Sequence, residues 1–223
     1  MSSRFTDQVA VVFGAGRGIG EAIAFRLSDE GAKVVIIDIL KHEVNTVKLK
    51  ILERGGEAEA YHLDISDDKK VNQCIDQIVK LNFKIDVLIN SAGIVGPTNC
   101  EIENYELKDF LEVLNVNLVG AFNISKAVIP IMKKNNYGRI LHISSIAGKE
   151  GNPGMIGYSS SKSALIGLVK SLGKELAQTN ITVNGLAPAV ISTDMNRDTD
   201  PKMLEYMVEK IPMKRLGSVD RKS

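Results

Sequence analysis

The chain has 223 residues, 44% hydrophobic and 25% charged, enough for one sizeable core and without the apolar poverty that marks disorder. Its 28 Lys and Arg nearly cancel 27 Asp and Glu, leaving a formal charge of +1 and no net pull towards nucleic acid or an anionic membrane. No run reaches the ~20 uninterrupted apolar residues of a membrane span, and the opening Met1-Ser2-Ser3-Arg4-Phe5-Thr6-Asp7 lacks a signal peptide's apolar stretch, so the expected compartment is the cytosol.

Val9–Phe13 is a continuous apolar run, the pattern of a strand buried on both faces. A helix is predicted from Gly18 to Glu30, with Ile19, Ile23 and Leu27 on one face and Gly31 as its stop. Lys33–Asp38 reads as the second strand, Val44–Arg54 as a helix closed by Gly55-Gly56, Glu57–Leu63 as the third strand and Asp67–Leu81 as a helix. Asp86–Asn90 is the fourth strand and Tyr105–Lys133 one long helix. Gly138–Ser144 is the fifth strand, Gly157–Gln178 a helix, Ile181–Ala187 the sixth strand and Pro201–Lys210 a polar helix. Strands alternating with helices of this length imply right-handed βαβ crossovers, and so a doubly wound parallel α/β sheet in a single domain over residues 1–223. Cys74 and Cys100 are the only cysteines and belong to no CxxC or Cys/His cluster, so both are expected to be ordinary thiols.

In such sheets ligands bind beyond the carboxyl ends of the strands. After the first strand comes Gly14-Ala-Gly16-Arg17-Gly18-Ile19-Gly20, leading straight into a helix. Glycines let the backbone turn sharply and approach a pyrophosphate, while the helix N-terminus presents unpaired N–H groups and partial positive charge. Asp38 ends the second strand about 20 residues later, where an acidic residue holds the adenosine ribose. A carboxylate there repels a 2′-phosphate and favours NAD over NADP. Arg17 pulls the other way, but one flexible guanidinium offsets close like-charge repulsion poorly. Asp64-Ile65 and Asn90-Ser91-Ala92-Gly93 follow the third and fourth strands at the same sheet edge and are expected to contact adenine and ribose.

Tyr158 and Lys162 are one helical turn apart, and Ser145 follows the fifth strand. A free tyrosine, with a pKa near 10, is a poor proton donor or acceptor at neutral pH. Bringing it to about 7 needs about 4 kcal/mol, and a cation about 4 Å away contributes roughly that at an effective dielectric of about 20. One lysine is expected to do most of this tuning. His142, in an apolar strand, reads as a satisfied core histidine.

The Gly14-xxx-Gly18-x-Gly20 turn, Asn90-Ser-Ala-Gly93, and Tyr158-xxx-Lys162 preceded by Ser145 together resemble the short-chain dehydrogenase/reductase family, over about Thr6 to Gly217. The resemblance implies Tyr158 as general acid/base and Ser145 as the holder of the substrate oxygen. It implies that Lys162 lowers the tyrosine pKa and binds the nicotinamide ribose, and that Asn117 anchors a water in the proton relay. Pro188, Ile191 and Thr193 would hold the carboxamide. The implied reaction passes a hydride between nicotinamide and an alcohol or ketone carbon, without a metal. The Gly148–Gly154 stretch resembles that of bacterial sugar or sugar-acid dehydrogenases, and much of the chain resembles 3-oxoacyl-carrier-protein reductases. The segment from Asp194 to Met213 would decide between them.

Three departures accompany the match. Phe13 stands where the family commonly has Thr, and Ala189 where it has Gly. Family members normally continue past a segment like Arg215-Leu-Gly217 with another helix and a seventh strand, whereas this chain stops at Ser223. The sixth strand is therefore expected at a sheet edge, and a shortened form that binds NAD or a partner without turnover is the competing reading. The family's habit of forming dimers or tetramers implies a homo-oligomer, here through the Tyr105–Lys133 and Gly157–Gln178 helices.

Overall fold

A computed structural model describes residues 3–194 and 200–219. Six strands, β1 (Val9–Phe13), β2 (Lys33–Asp38), β3 (Glu57–His62), β4 (Val87–Asn90), β5 (Gly138–Ile143) and β6 (Ile181–Leu186), form one sheet in the order β3-β2-β1-β4-β5-β6. Every pairing is parallel. The helices are α1 (Gly18–Asp29), α2 (Lys41–Glu53), α3 (Asp68–Asn82), α4 (Leu107–Leu114), α5 (Gly120–Lys134), α6 (Ala147–Glu150), α7 (Ile156–Glu175) and α8 (Pro201–Lys210).

The continuous apolar run of β1 is explained by two cores. Val9, Val11 and Phe13 enter one cluster with Val35, Ile37, Leu88 and Ile124, while Ala10 and Val12 enter a second with Val34, Ile36, Ala24 and Ile51 on the opposite face. Strand side chains alternate in direction, so a strand covered on both sides needs an apolar residue at every position. Each such Val or Ile contributes about 1.5–3 kcal/mol by leaving water. The chain winds outwards from β1 to β3, then returns to the other side of β1 to lay down β4, β5 and β6. A cleft opens between β1 and β4, where that order reverses.

The first turn is held by close backbone packing. Gly14 has φ +71°, and a Cβ there would fall 2.4 Å from the Ala92 nitrogen. A Cβ at Gly20 would fall 2.0 Å from the Gly14 carbonyl oxygen. We expect Gly20→Ala to cost about 3 kcal/mol or more, read as a lower midpoint in urea unfolding, because backbone and not a yielding side chain blocks the methyl.

The predicted long helix is interrupted. Between α4 and α5, Asn115–Val119 form a π-type turn, so the expected Tyr105–Lys133 helix begins at Leu107 and widens in its middle. By length and composition alone the helical stretch Leu107–Lys134 would suffice to cross a membrane, but its inner face, with Val113, Ile124, Val128 and Met132, belongs to the core. A short 3-10 turn at Ile102–Asn104 and α6 were not anticipated from periodicity. β6 lies at the sheet edge, with Thr182, Asn184, Gly185 and Leu186 exposed.

Candidate active site

A cleft of about 400 Å³ runs across the carboxyl ends of the strands. Gly14, Arg17, Gly18 and Ile19 wall it after β1, Asp38 after β2, Asp64 and Ile65 after β3, and Ala92 and Gly93 after β4. The N-cap residue of α1, Arg17, is exposed and makes no side-chain cap, so the first-turn amides of α1 face the cleft without an intrahelical or capping acceptor. A free helix N-terminus beside a glycine turn suits an anionic diphosphate. Asp38 does more than line the wall: its Oδ2 accepts the Gly16 N–H at 2.9 Å and its Oδ1 the Leu40 N–H at 3.0 Å, tying the glycine turn to the end of β2. The Ile65 and Ser66 carbonyls accept from Asn123 on α5, which thereby holds the β3 loop in place.

At the other end, Ser145, Tyr158, Lys162, Pro188, Ile191 and Thr193 line the same cleft. Lys162 is buried, its Nζ donating to the Ile143 carbonyl at 2.9 Å, and burial lowers its pKa to about 8. The Tyr158 phenol is raised above its ordinary value, chiefly by burial, while a hydrogen bond with Ser145 acts to lower it. With Nζ turned to the Ile143 carbonyl and 5.7 Å from the Tyr158 ring centre, the opposing influence on the phenol comes from Ser145. Ser145 Oγ also accepts the Ala147 N–H at 3.1 Å, which anchors the start of α6 and fixes the hydroxyl in place.

Four predicted site residues stand behind the wall. Gly16 and Gly20 shape the turn. Asn90 is buried, with Oδ1 accepting the Ala92 N–H at 3.2 Å. Asn117, in the π-type turn, spends both amide hydrogens, one on the Ile94 carbonyl at 2.9 Å and one on Ser161 Oγ at 2.9 Å, while its Oδ1 accepts the Ile94 N–H at 2.8 Å. Its amide thus staples the β4 loop to α7. Asn115, two residues earlier, is exposed.

Sequence reasoning missed Asn123, and also Ser161, whose Oγ bonds Asn117 and the Tyr158 carbonyl. The only signal for either was a polar residue on an otherwise buried helix face. The far end of the cleft is bounded by Val95, Val116, Ile146, Asn152, Met155 and Met207. Of the segment expected to set substrate choice, Asp194 and Met207 reach the cleft, and residues 195–199 lie outside the described ones.

A profile of the short chain dehydrogenase family matches residues 8–204. A 3-oxoacyl-[acyl-carrier-protein] reductase of Thermotoga maritima is 35% identical over 96% of this chain and 86% of its own length. A 2-dehydro-3-deoxy-L-rhamnonate dehydrogenase (NAD(+)) of a Sphingomonas species is 36% identical over 98% of this chain and 86% of its own. Among solved structures, an NAD+-bound xylitol dehydrogenase superimposes with a TM-score of 0.91 and 33% identity, covering 97% of this chain and 89% of that one.

Proposed function

Because the chain is an oxidoreductase that belongs to the short chain dehydrogenase family, we propose that it moves a hydride between NAD(H), in preference to NADP(H), and a secondary alcohol or ketone of the sugar, sugar-acid or related hydroxy-compound class. The observation that carries the reading is the convergence of Ser145, Tyr158 and Lys162 at one end of a cleft whose other end is closed by Asp38. Gly14, Gly18 and Ile19 would hold the pyrophosphate against the open amides of α1, with Gly16 and Gly20 shaping that turn. Asp38 would bind the adenosine ribose; Asp64, Ile65, Asn90, Ala92 and Gly93 would support adenine and ribose; Lys162 would bind the second ribose. Pro188, Ile191 and Thr193 would seat the carboxamide. When bound, the nicotinamide supplies or accepts the hydride.

The protein's own part is proton movement. Ser145 donates a hydrogen bond to the substrate oxygen, and Tyr158 Oη gives that oxygen a proton in reduction or takes one in oxidation. Since burial keeps the phenol protonated through neutral pH, reduction finds its acid ready, whereas oxidation accelerates as pH rises towards the phenol pKa. Asn117 acts by holding the β4 loop.

NAD(H)-linked assay of the purified chain against polyols, sugar acids and oxoacyl thioesters tests the substrate class. Turnover of a polyol or sugar acid is expected. Activity confined to oxoacyl thioesters with NADPH would replace this reading with an acyl reductase, the second reading, which the Thermotoga relative supports. NADH binding with no turnover on any of the three would favour a non-catalytic binder.

Asp38→Ala is expected to raise the ratio of kcat/KM for NADP to that for NAD at least roughly tenfold, since a nearby like charge is removed. Affinity for both dinucleotides should fall at the same time, because the Gly16 and Leu40 amides lose their acceptor. A homo-oligomer through the α4–α5 stretch and α7 is supported by exposed Leu107 and Leu111 on α4, Val119 in the π-type turn and Phe122 on α5. Light scattering showing only monomer would remove that assembly.

A further inference from the structure

The mechanism leaves several buried titratable side chains unused, His142 among them. His142 lies in β5, fully buried, directly opposite Asn90 in the β4 register. Its Nδ1 is 3.2 Å from Asn90 Nδ2 and its Nε2 is 3.2 Å from Ser125 Oγ. The direction of each bond follows from its neighbours. Ser125 Oγ has one hydrogen, which it gives to the Ala121 carbonyl at 2.6 Å, so towards the imidazole it can only accept. Nε2 therefore carries the ring proton. Asn90 Oδ1 already accepts the Ala92 N–H, so its Nδ2 faces the ring as a donor and Nδ1 must be the bare acceptor.

The result is a one-way chain: Ala92 N–H to Asn90, Asn90 to His142, His142 to Ser125, Ser125 to the Ala121 carbonyl in the first turn of α5. Protonating Nδ1 would set two donors against each other. Burial, with the Lys162 charge adding to it, holds the imidazole pKa down at about 4, so the ring is neutral at physiological pH. The segment at the head of the chain matters because Ala92 and Gly93 line the cleft, and a Cβ at Gly93 would lie 3.3 Å from Lys162 Nζ and 3.0 Å from Asn117 Oδ1. The residue after the histidine, Ile143, supplies the carbonyl that receives Lys162.

We propose that His142, fixed as its neutral Nε2–H tautomer between Asn90 and Ser125, is a positioning residue that sets the Ala92–Gly93 backbone along the cofactor wall of the cleft. The inference rests on the nicotinamide reading given above. It makes the histidine a determinant of cofactor affinity, acting through Asn90 and not on the reacting atoms.

The test combines direct observation of the ring with a graded set of variants of the full chain. In ¹⁵N-histidine spectra of the wild type, one of the three histidines should appear as a neutral Nε2–H tautomer at pH 7 and stay neutral to about pH 5. An Nδ1–H ring or an imidazolium at pH 7 for His142 overturns the proposal. NADH titrations then separate the two ring nitrogens. His142→Asn can place an acceptor where Nδ1 stands, whereas His142→Gln reaches towards Ser125 and abandons Asn90. We expect Asn to bind NADH within about threefold of wild type, and Gln and His142→Leu to bind roughly tenfold more weakly with kcat at saturating NADH little changed. Indistinguishable Asn and Gln variants, or a Leu variant with wild-type affinity, would remove the inference alone. A wild type that binds no NADH would remove the cofactor reading and the inference with it. Should the Leu variant fail to fold, the Asn–Gln contrast and the wild-type spectrum still decide.

Discussion

Tyr158→Phe should lower turnover roughly a thousandfold in both directions while leaving the dissociation constant for NADH within about threefold. The hydroxyl is the one group lost. The ring keeps its packing at the cleft wall, Ser161 still bonds the residue-158 carbonyl, and no backbone contact of the cofactor wall passes through the phenol oxygen. Pre-steady-state hydride transfer, followed as the 340 nm signal at saturating substrate, checks the loss, and fluorescence titration checks the retained binding. A variant that keeps more than a tenth of wild-type turnover would show that the proton travels by another route. The size of the expected effect follows from the surroundings: in a partly buried cleft, with the Lys162 ammonium bonded to the Ile143 carbonyl, no second acid among the described residues is hydrogen-bonded to Ser145.

The second large effect concerns Lys162. Lys162→Met should also abolish turnover, by at least about a hundredfold, and it should change how stability responds to pH. In the folded protein the ammonium titrates near 8, whereas in the unfolded chain it does so near the ordinary lysine value of 10.5. Between those two values the unfolded state binds the extra proton, so wild-type stability rises with pH across that window. The gain amounts to about 3 kcal/mol at ~1.36 kcal/mol per pH unit. Methionine has no such titration. The stability difference between variant and wild type should therefore move in favour of the wild type by about that amount from pH 8 to pH 10.5, measured by urea unfolding at each pH. A flat difference would mean that the ammonium is already well solvated in the fold. Below pH 8 the two effects of the substitution oppose one another, since removing a buried charge is favourable and leaving the Ile143 carbonyl without its donor costs about 1–3 kcal/mol.

Both variants rest on residues that could be picked from the sequence, and the reason is topological. In a parallel sheet every strand ends at the same edge, so Gly14, Asp38, Asp64, Asn90 and Ser145, each at or within two residues of a strand's end, had to converge. Strands β1, β2 and β4 were legible because burial on both faces leaves an unbroken apolar signature. Helix starts were less so: α2 begins three residues before the expected Val44, with Leu40 at its N-cap and no side-chain cap to announce it. The π-type turn was hidden because five residues are too few for a change of period to show. The internal wiring of the site was hidden for a different reason. Asn90 meets His142 across 52 residues of chain, and Asn123 meets Ile65 across 58, contacts that exist only once β4, β5 and α5 have packed. The bond from Lys162 to the Ile143 carbonyl was hidden because sequence spacing gives the distance between two side chains along a helix but not which carbonyl one of them prefers.

The wide turn at Asn115–Val119 has a consequence for how the chain can change length. Along α4 and α5 the inward residues Val113, Asn117, Ala121 and Ser125 recur every fourth position, and in a regular helix each such step drifts about 40° around the axis. The extra residue in the widened turn takes up part of that drift, keeping Val113 and Ile124 in the core while Gly120 slides under Ile65, where a Cβ would fall 2.5 Å from that side chain. It acts as a phase adjuster between two rods. Losing or gaining one residue there would swing Ile124, Val128 and Met132 by about 100° relative to α4, out of the seam they fill. Drift in chain length is thus channelled away from this rod and towards the surface connections.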